Sequence, residues 1–473
     1  MTLSIPFANS YTRLPPRFFT RQGATPVANP TLIAWNAPLA AELGLPDTAD
    51  ATTLAQIFSG NTLPEGSEPL AQVYAGHQFG GFSPQLGDGR ALLLGDVIDT
   101  HGTPRDIQLK GAGRTVYSRG GDGRAWLGPV LREYVVSEAM HALGVPTTRA
   151  LAAVATGEMV FRETALPGAV LTRVAASHIR VGTFQYFAAR GDTEALEALF
   201  DYTRTRHYPQ ANTPEEFLDA AIDAQVRLVT HWLSLGFIHG VMNTDNTALS
   251  GETIDYGPCA FIDAYHPQTV FSSIDRRGRY AYDNQANIIA WNMAQLASCL
   301  VPLCPDEDAA VARFTAMIHG MADRIAAQWL TRFAPKLGLT SPSEDDRALI
   351  TDLLDLMAKD GADFTNTFRA LAHGSARDQL TDRPAYDAWH ARWKARLARE
   401  SDAMPRMRAA NPAFIPRNHR VEQMIQAAVA GDYAPFHRLN AVLAHPYEDQ
   451  PDAADLTRPP AESERVTTTF CGT

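Results

Sequence analysis

The stretch His239-Gly-Val-Met-Asn-Thr-Asp-Asn246, with Ile254-Asp255-Tyr-Gly257 following it, sets an amide oxygen and a carboxylate nine residues apart. Asn246 and Asp255 make a sparse oxygen set. Such a set suits Mg²⁺ or Mn²⁺, which keep water ligands and take the rest of their shell from nucleotide phosphates. Val241, two residues after the histidine, cannot take a proton. Asp245 is the only carboxylate in the loop that can serve as a general base, provided it is ionised. Its other reading is a turn cap, because Asn-Thr-Asp-Asn is also a good turn sequence.

A kinase-type catalytic loop carries the same parts in the same order, except that an Asp stands where Val241 does and a downstream Asp-Phe-Gly supplies the second metal ligand. The chain is therefore either catalytically dead or does different chemistry. Upstream, Lys110 ends a short apolar stretch and Glu133 lies on a helix-patterned segment. In kinases such a lysine neutralises phosphates while such a glutamate holds it; the plain alternative is two solvated residues. Gln85-Leu-Gly-Asp-Gly-Arg90 reads as a hairpin or as a phosphate contact through Gly87, Gly89 and Arg90. Lys110-Gly-Ala-Gly113 through Gly120-Gly-Asp-Gly-Arg124, with Asp122 and Gly123, is denser in glycine than a connection needs and suggests a mobile loop over a ligand. Arg173 and Arg180 have the fork geometry for polyphosphate, or form surface ion pairs. His77, His178 and His239 lack metal-motif spacing and read as structural.

Periodicity predicts short strands over 90–97, 106–110, 151–155, 159–162 and 169–174, with a turn at Thr156-Gly157 and a helix over 128–143. Beyond Thr183 long helices are predicted over 214–235, 285–300, 309–333, 343–357 and 385–397, and a shorter one near 38–43. The class expected is α+β, a two-lobed protein-kinase-like fold with a small β-rich lobe and a larger helical one. The divisions are 1–70, an extension packed on the core; 71–182, nucleotide-binding; 183–445, helical with the catalytic and metal loops; and 446–473, an acidic, Pro-rich tail.

The 473 residues are 45% hydrophobic and 20% charged, ordinary globular values, with net charge −11. Nucleic acid as a partner is therefore not expected. Arg276-Arg277-Gly-Arg279, the nearest approach to a basic run, reads as a solvated loop or a nucleotide clamp. Cys259, Cys299, Cys304 and Cys471 show neither metal spacing nor a disulfide framework. No membrane span or leader is read, and the expected location is cytoplasmic.

Tyr74-Ala-Gly-His-Gln-Phe-Gly80, Gln85 to Arg90, Gln108-Leu-Lys-Gly-Ala-Gly113, Gly121-Asp-Gly-Arg124, Arg132-Glu-Tyr134, Ser137-Glu-Ala-Met-His141, Pro146-Thr-Thr-Arg149, Arg173 to Phe184, His239 to Asn246 and Ile254 to Gly257 together resemble the selenoprotein O family of protein adenylyltransferases. The dense match runs from about Tyr74 to Leu300. The resemblance implies a kinase fold that binds ATP in a flipped orientation and passes AMP to Ser, Thr or Tyr hydroxyls of protein substrates. It implies Lys110, Glu133, Arg173 and Arg180 on phosphates; Gly87, Gly89, Arg90, Asp122 and Gly123 around the nucleotide; Asn246 and Asp255 on Mg²⁺ or Mn²⁺; and Asp245 as base. Under a flipped nucleotide the place of Val241 need not hold a base. Val116 departs from the family's usual Pro, and Gly128-Pro129 from its more polar helix start. The family's terminal selenocysteine or cysteine corresponds to Cys471. Some members are thought to pair it with a cysteine where Phe271 stands here, leaving Cys259 as the substitute this chain offers. The alternatives are UMP transfer from UTP with Mn²⁺ or γ-phosphoryl transfer, and thirdly a non-catalytic nucleotide-sensing scaffold, against which the joint retention of Lys110, Glu133, Asn246 and Asp255 speaks.

Overall fold

An antiparallel sheet organises the first part of the chain. The computed structural model describes residues 3–46 and 49–470. In chain order the sheet region comprises β1 (Phe19–Arg21), β2 (Thr31–Trp35), α1 (Ala37–Glu42), α2 (Ala51–Phe58), β3 (Leu70–Gln72), the hairpin β4 (Gly76–Gln78) and β5 (Gly81–Ser83), β6 (Ala91–Ile98), β7 (Pro104–Lys110), β8 (Ala125–Trp126), α3 (Leu127–Ala142), β9 (Arg149–Phe161) and β10 (Ala165–Ala175). The main sheet runs β1-β3-β6-β7-β10-β9-β2, with β8 on β10. The first seventy residues, expected to pack on this core, supply both its outermost strands.

Two registers decide the site. In the β7–β10 pair Leu171 faces Lys110 and Arg173 faces Gln108. Side chains repeat every second residue on one face of a sheet, so Lys110, Gln108 and Arg173 stand on the same side. α3 crosses that side. The helix is buried on nearly every flank, because α14 (Asn418–Val429) and α15 (Ala434–Leu443) return from far along the chain to cover its outer face. Leu131 and Val135 pack with Leu171, Met424, Leu439 and their neighbours in one apolar cluster. Burial on this scale contributes about 1.5–3 kcal/mol per large aliphatic side chain.

The rest is helical: α4 (Val181–Ala188), α5 (Thr193–His207), α6 (Pro214–Leu235), α7 (Gln285–Leu300), α8 (Glu307–His319), α9 (Met321–Phe333), α10 (Glu344–Asp360), α11 (Phe364–Leu371), α12 (Arg383–Leu397) and α13 (Ala403–Ala410) precede α14. Between α6 and α7, β11 (Phe237–Ile238) pairs antiparallel with β12 (Ala260–Phe261). Everything from His239 to Cys259 is thus one excursion whose ends are clamped together. The class is α+β.

Several expectations need correcting. The two strands expected over 151–162 are one: Gly157, at φ +74°, makes an irregularity within β9 rather than a reversal, with Asn29 N donating to Thr156 O at 3.0 Å. The helix expected over 309–333 breaks at Gly320 into α8 and α9. The segment Gln285–Leu303 has the length and mean hydropathy (1.2) of a membrane span, where none is expected from the sequence. Here it packs against α4 and α6, with Ile288, Met293, Leu296 and Leu300 buried.

Candidate active site

Asp255 is the centre of a buried ion cluster. Lys110 Nζ lies 2.8 Å from Asp255 Oδ1 and 2.6 Å from Glu133 Oε2. Arg173 Nη1 bridges the same two carboxylates at 2.6 and 3.2 Å, and its Nη2 donates to Gln108 Oε1 at 2.6 Å. Arg180 Nη1 reaches Asp255 Oδ2 at 3.1 Å, with its guanidinium 4.5 Å above the Tyr74 ring. The solvated alternative for Lys110 and Glu133 and the surface alternative for the arginines therefore fall. Burial alone would raise the Asp255 carboxyl, but Arg173, Lys110 and Arg180 outweigh it and hold it well below the usual carboxylate range. Its backbone has φ +62°, uncommon for a residue with a side chain. Such strain persists where surroundings over-determine it, as three cations on one carboxylate do.

The loop from His239 to Asn246 is pinned from several sides. His239 Nε2 contacts Ile254 O at 2.8 Å, tying the two motifs together. Asn292 on α7 donates to Met242 O and Thr247 Oγ1, at 3.0 and 2.8 Å. Asn246 Nδ2 donates to Val241 O at 2.9 Å, which orients the amide. Arg180 Nη1 also donates to Asp245 O at 2.8 Å, and Gln78 Nε2 to Asp245 Oδ2 at 3.0 Å. Asp245 Oδ1 is buried without a hydrogen-bond partner among the described residues. Burial pushes this carboxyl up to about 6, against the opposing hydrogen bond from Gln78. β4 lies so close that a Cβ on Gly76 would fall 2.5 Å from Asp245 Oδ1, so only glycine fits.

The first glycine turn is not a hairpin. Asp88 N donates to Gln72 O at 2.9 Å and Asp88 Oδ2 accepts from Gln72 N at 3.1 Å, so residues 86–88 fold back along β3. Burial raises the Asp88 carboxyl to about 6. The second glycine loop does not hang free. Arg114 binds Gly120 O and Gly121 O at 2.9 and 3.0 Å, and Arg162 holds both oxygens of Asp122 at 2.8 and 3.1 Å. Asp122 thus shapes the loop by accepting from Arg162.

These parts enclose one cavity of about 760 Å³ lined by Gly87, Gly89, Arg90, Lys110, Asp122, Gly123, Glu133, Arg173, Arg180, Asp245, Asn246 and Asp255, the residues expected to contact the nucleotide, its phosphates and a metal or to act as base. Seven arginines and lysines face five carboxylates in its wall, although the chain carries −11 overall. A cationic concavity in an anionic protein focuses field on a polyanion.

The sequence model of the family described as protein adenylyltransferase SelO matches residues 1–444. The chain belongs to the SelO family. It is 62% identical over 473 residues to the protein nucleotidyltransferase YdiU of Ruegeria pomeroyi, covering all of both chains. Against the protein of the same description from Roseobacter denitrificans it is 61% identical over 473 residues, again complete on both sides. It is 57% identical over 488 residues to that of Rhizobium johnstonii, covering 99% of this chain and 98% of the other. Membership of the SelO family fixes the enzyme class as nucleotidyltransferase.

Sequence reasoning missed Gln78, Asp88 and Asn243, which line the cavity. Asn243 Oδ1 accepts from Phe79 N at 3.1 Å and from Tyr280 Oη at 2.6 Å, joining the β4–β5 hairpin to the loop that carries Asp245 and Asn246. The signal available was the position of Gln78 and Phe79 within the Tyr74–Gly80 motif. Cys259 is buried, and burial pushes its thiol up to about 11. Cys471, its suggested partner, lies outside the described residues.

Proposed function

We propose that the protein transfers AMP from ATP to a Ser, Thr or Tyr hydroxyl of a protein acceptor. In this reading the sheet and the helical region are the two lobes of a kinase-like fold, and the nucleotide lies turned round so that its α-phosphate faces Asp245. The observation that carries it is the pairing of Asp245 with Val241. A buried carboxylate with one oxygen free stands in the cavity wall, while the place of a kinase's base holds a buried valine. The acceptor hydroxyl attacks the α-phosphorus, the bond to the β-phosphate oxygen breaks, Asp245 takes the hydroxyl proton and pyrophosphate leaves. Lys110, Arg173 and Arg180 stabilise the charge on the departing phosphates, being already held in place when the reaction begins. The family, described as protein adenylyltransferase, and its relatives, described as protein nucleotidyltransferases, support both the nucleotidyl group and the protein acceptor.

The donor set fits Mg²⁺ or Mn²⁺. Asn246 spends its amide nitrogen on Val241 O, leaving Oδ1 with no hydrogen bond among the described residues, and Asp255 stays ionised. Two hard oxygens of this kind would hold the ion against the nucleotide phosphates, whose charge it would neutralise. UMP transfer from UTP with Mn²⁺ is a second reading, favoured by the relatives' description as nucleotidyltransferases, which names no base.

The test is label transfer into protein from ATP carrying α- or γ-label, beside α-labelled UTP. Incorporation from α-labelled ATP alone supports the proposal. Incorporation from the γ-label alone overturns it, and preference for UTP moves it to the second reading.

A further inference from the structure

Arg276-Arg277-Gly-Arg279, read from sequence as a solvated loop or a nucleotide clamp, is not a clamp, since none of the three arginines lines the nucleotide cavity. The loop that bears them is nonetheless built. Asp275 is buried and accepts from Arg279 N at 2.9 Å and Tyr280 N at 2.7 Å, folding residues 275–280 into a fixed turn. Tyr280 then anchors the turn to the catalytic loop through Asn243, two residues from Asp245, and packs its ring 5.1 Å from Phe79.

What this turn presents is unusual for the chain. Arg276 and Arg277 are exposed and make no ion pair or side-chain hydrogen bond among the described residues. Arg279 lies 4.9 Å over the Trp291 ring, and its Nε is buried without a partner. Trp291 meets His77 edge-on at 5.2 Å, and His77 lies tilted, 4.8 Å between ring centres, against Phe82, which is 42% exposed. Ile274, 61% exposed, lines the cavity mouth from the same turn. Apolar contact surface and three arginines that pair with no carboxylate among the described residues therefore continue from the cavity mouth at Ile274, on a protein whose net charge of −11 repels acidic partners elsewhere.

We propose that residues 274–280 and the β4–β5 hairpin form the docking surface for the acceptor, and that they select a protein segment whose hydroxyl is flanked by Asp or Glu. Apolar Ile274 and Phe82 favour a polypeptide over a nucleic acid strand. The proposal deepens the transferase reading of the adjoining cavity and rests on it for the role of the hydroxyl.

The test is binding of a fluorescent peptide with one serine flanked by glutamates, against the same peptide with lysines in their place, measured by anisotropy at low and high salt. The acidic peptide binds about tenfold tighter at low salt, from two or more exposed charge pairs, and salt erodes the preference. Arg276→Glu/Arg277→Glu reverses it, and Arg276→Gln/Arg277→Gln abolishes it, with thermal unfolding like the native protein's because both residues are exposed. Equal binding of the two peptides overturns the proposal. So does a preference that survives in either variant, or displacement of the peptide by an equal concentration of single-stranded DNA. Transfer from the γ-label alone would remove the AMP reading and leave this binding result standing.

Discussion

Two buried ion clusters in this molecule use the same residue types to opposite ends. Around Asp255, three cations share two carboxylates, the carboxylate at the centre has a strained backbone, and the group borders a cavity. Around Arg417, one guanidinium is shared between Asp363, at 2.8 and 3.1 Å, Asn366, at 3.1 Å, and Asp263. That second cluster is closed. Asp263 sits just past β12, Asp363 caps α11 by accepting from Asn366 N at 2.8 Å, and Arg417 immediately precedes α14, so one side chain ties three distant elements together. The first cluster has positive charge to spare for a ligand; the second spends its donors within the protein. A buried ion pair by itself is weak grounds for either stability or function. Whether the cations outnumber the carboxylates beside a cavity, or the carboxylates take up every donor of the cation, decides between them.

Breaking the open cluster has the largest effect. Asp255→Ala removes the proposed metal ligand and leaves three cations facing Glu133 alone, and label incorporation per folded molecule falls about 10⁴-fold. A variant that kept a tenth of native incorporation would end the functional reading of this cluster. Asp245→Asn keeps shape and the contact to Gln78's side of the loop but cannot take a proton; transfer falls about 10³-fold while ATP affinity, measured by equilibrium binding, is kept. Full activity in Asp245→Asn would transfer the base role elsewhere.

The open cluster was legible because its residues are chemically rare in their settings. A lysine ending an apolar strand, or an Asn and an Asp at fixed spacing after a histidine, narrows the choices within a short window. The contact of Gln78 was not legible beyond its place in the Tyr74–Gly80 motif: amides are common, and its partner Asp245 lies 167 residues away. Separations of 154 and 54 residues likewise hid the Arg417 cluster, whose members carry no motif. Long periodic helices such as α6 and α7 matched the residues expected, Pro214–Leu235 and Gln285–Leu300. β1 and β2 did not show themselves, because strands of three and five residues carry too little alternation, and their place is set by the edges of β3 and β9.

Breaking the closed cluster should be purely structural. Arg417→Met strands Asp263 and Asp363 in a buried site without a counter-charge, and stability falls by about 3–5 kcal/mol. Urea unfolding checks the loss, and label incorporation per folded molecule stays within about twofold of native, well inside the scale of a removed catalytic group. An activity loss like that of Asp245→Asn, at unchanged stability, would erase the distinction between the clusters.

Lys336 sharpens the comparison, because it is a buried cation with neither kind of partner. It is 2% exposed, with Nζ 4.3 Å from the Phe368 ring centre and 5.5 Å from that of Phe364, and no carboxylate pairs with it among the described residues. Burial pushes it down from 10.5 to about 7. Between those two values the unfolded chain holds a proton that the folded chain does not, so stability rises with pH through this window; below about 7 the penalty is full and constant. Lys336→Met keeps the volume and removes the charge. The gain at neutral pH is on the order of 2 kcal/mol: each tenfold loss of proton affinity is worth about 1.4 kcal/mol, and the cation–π contacts that disappear offset part of the sum. Urea unfolding at a series of pH values reads both effects, the gain at pH 7 and a flatter rise toward pH 10.5. A native-like slope in the variant would mean that the two aromatic rings already balance the buried charge, and that a cation without a carboxylate is no liability at this site.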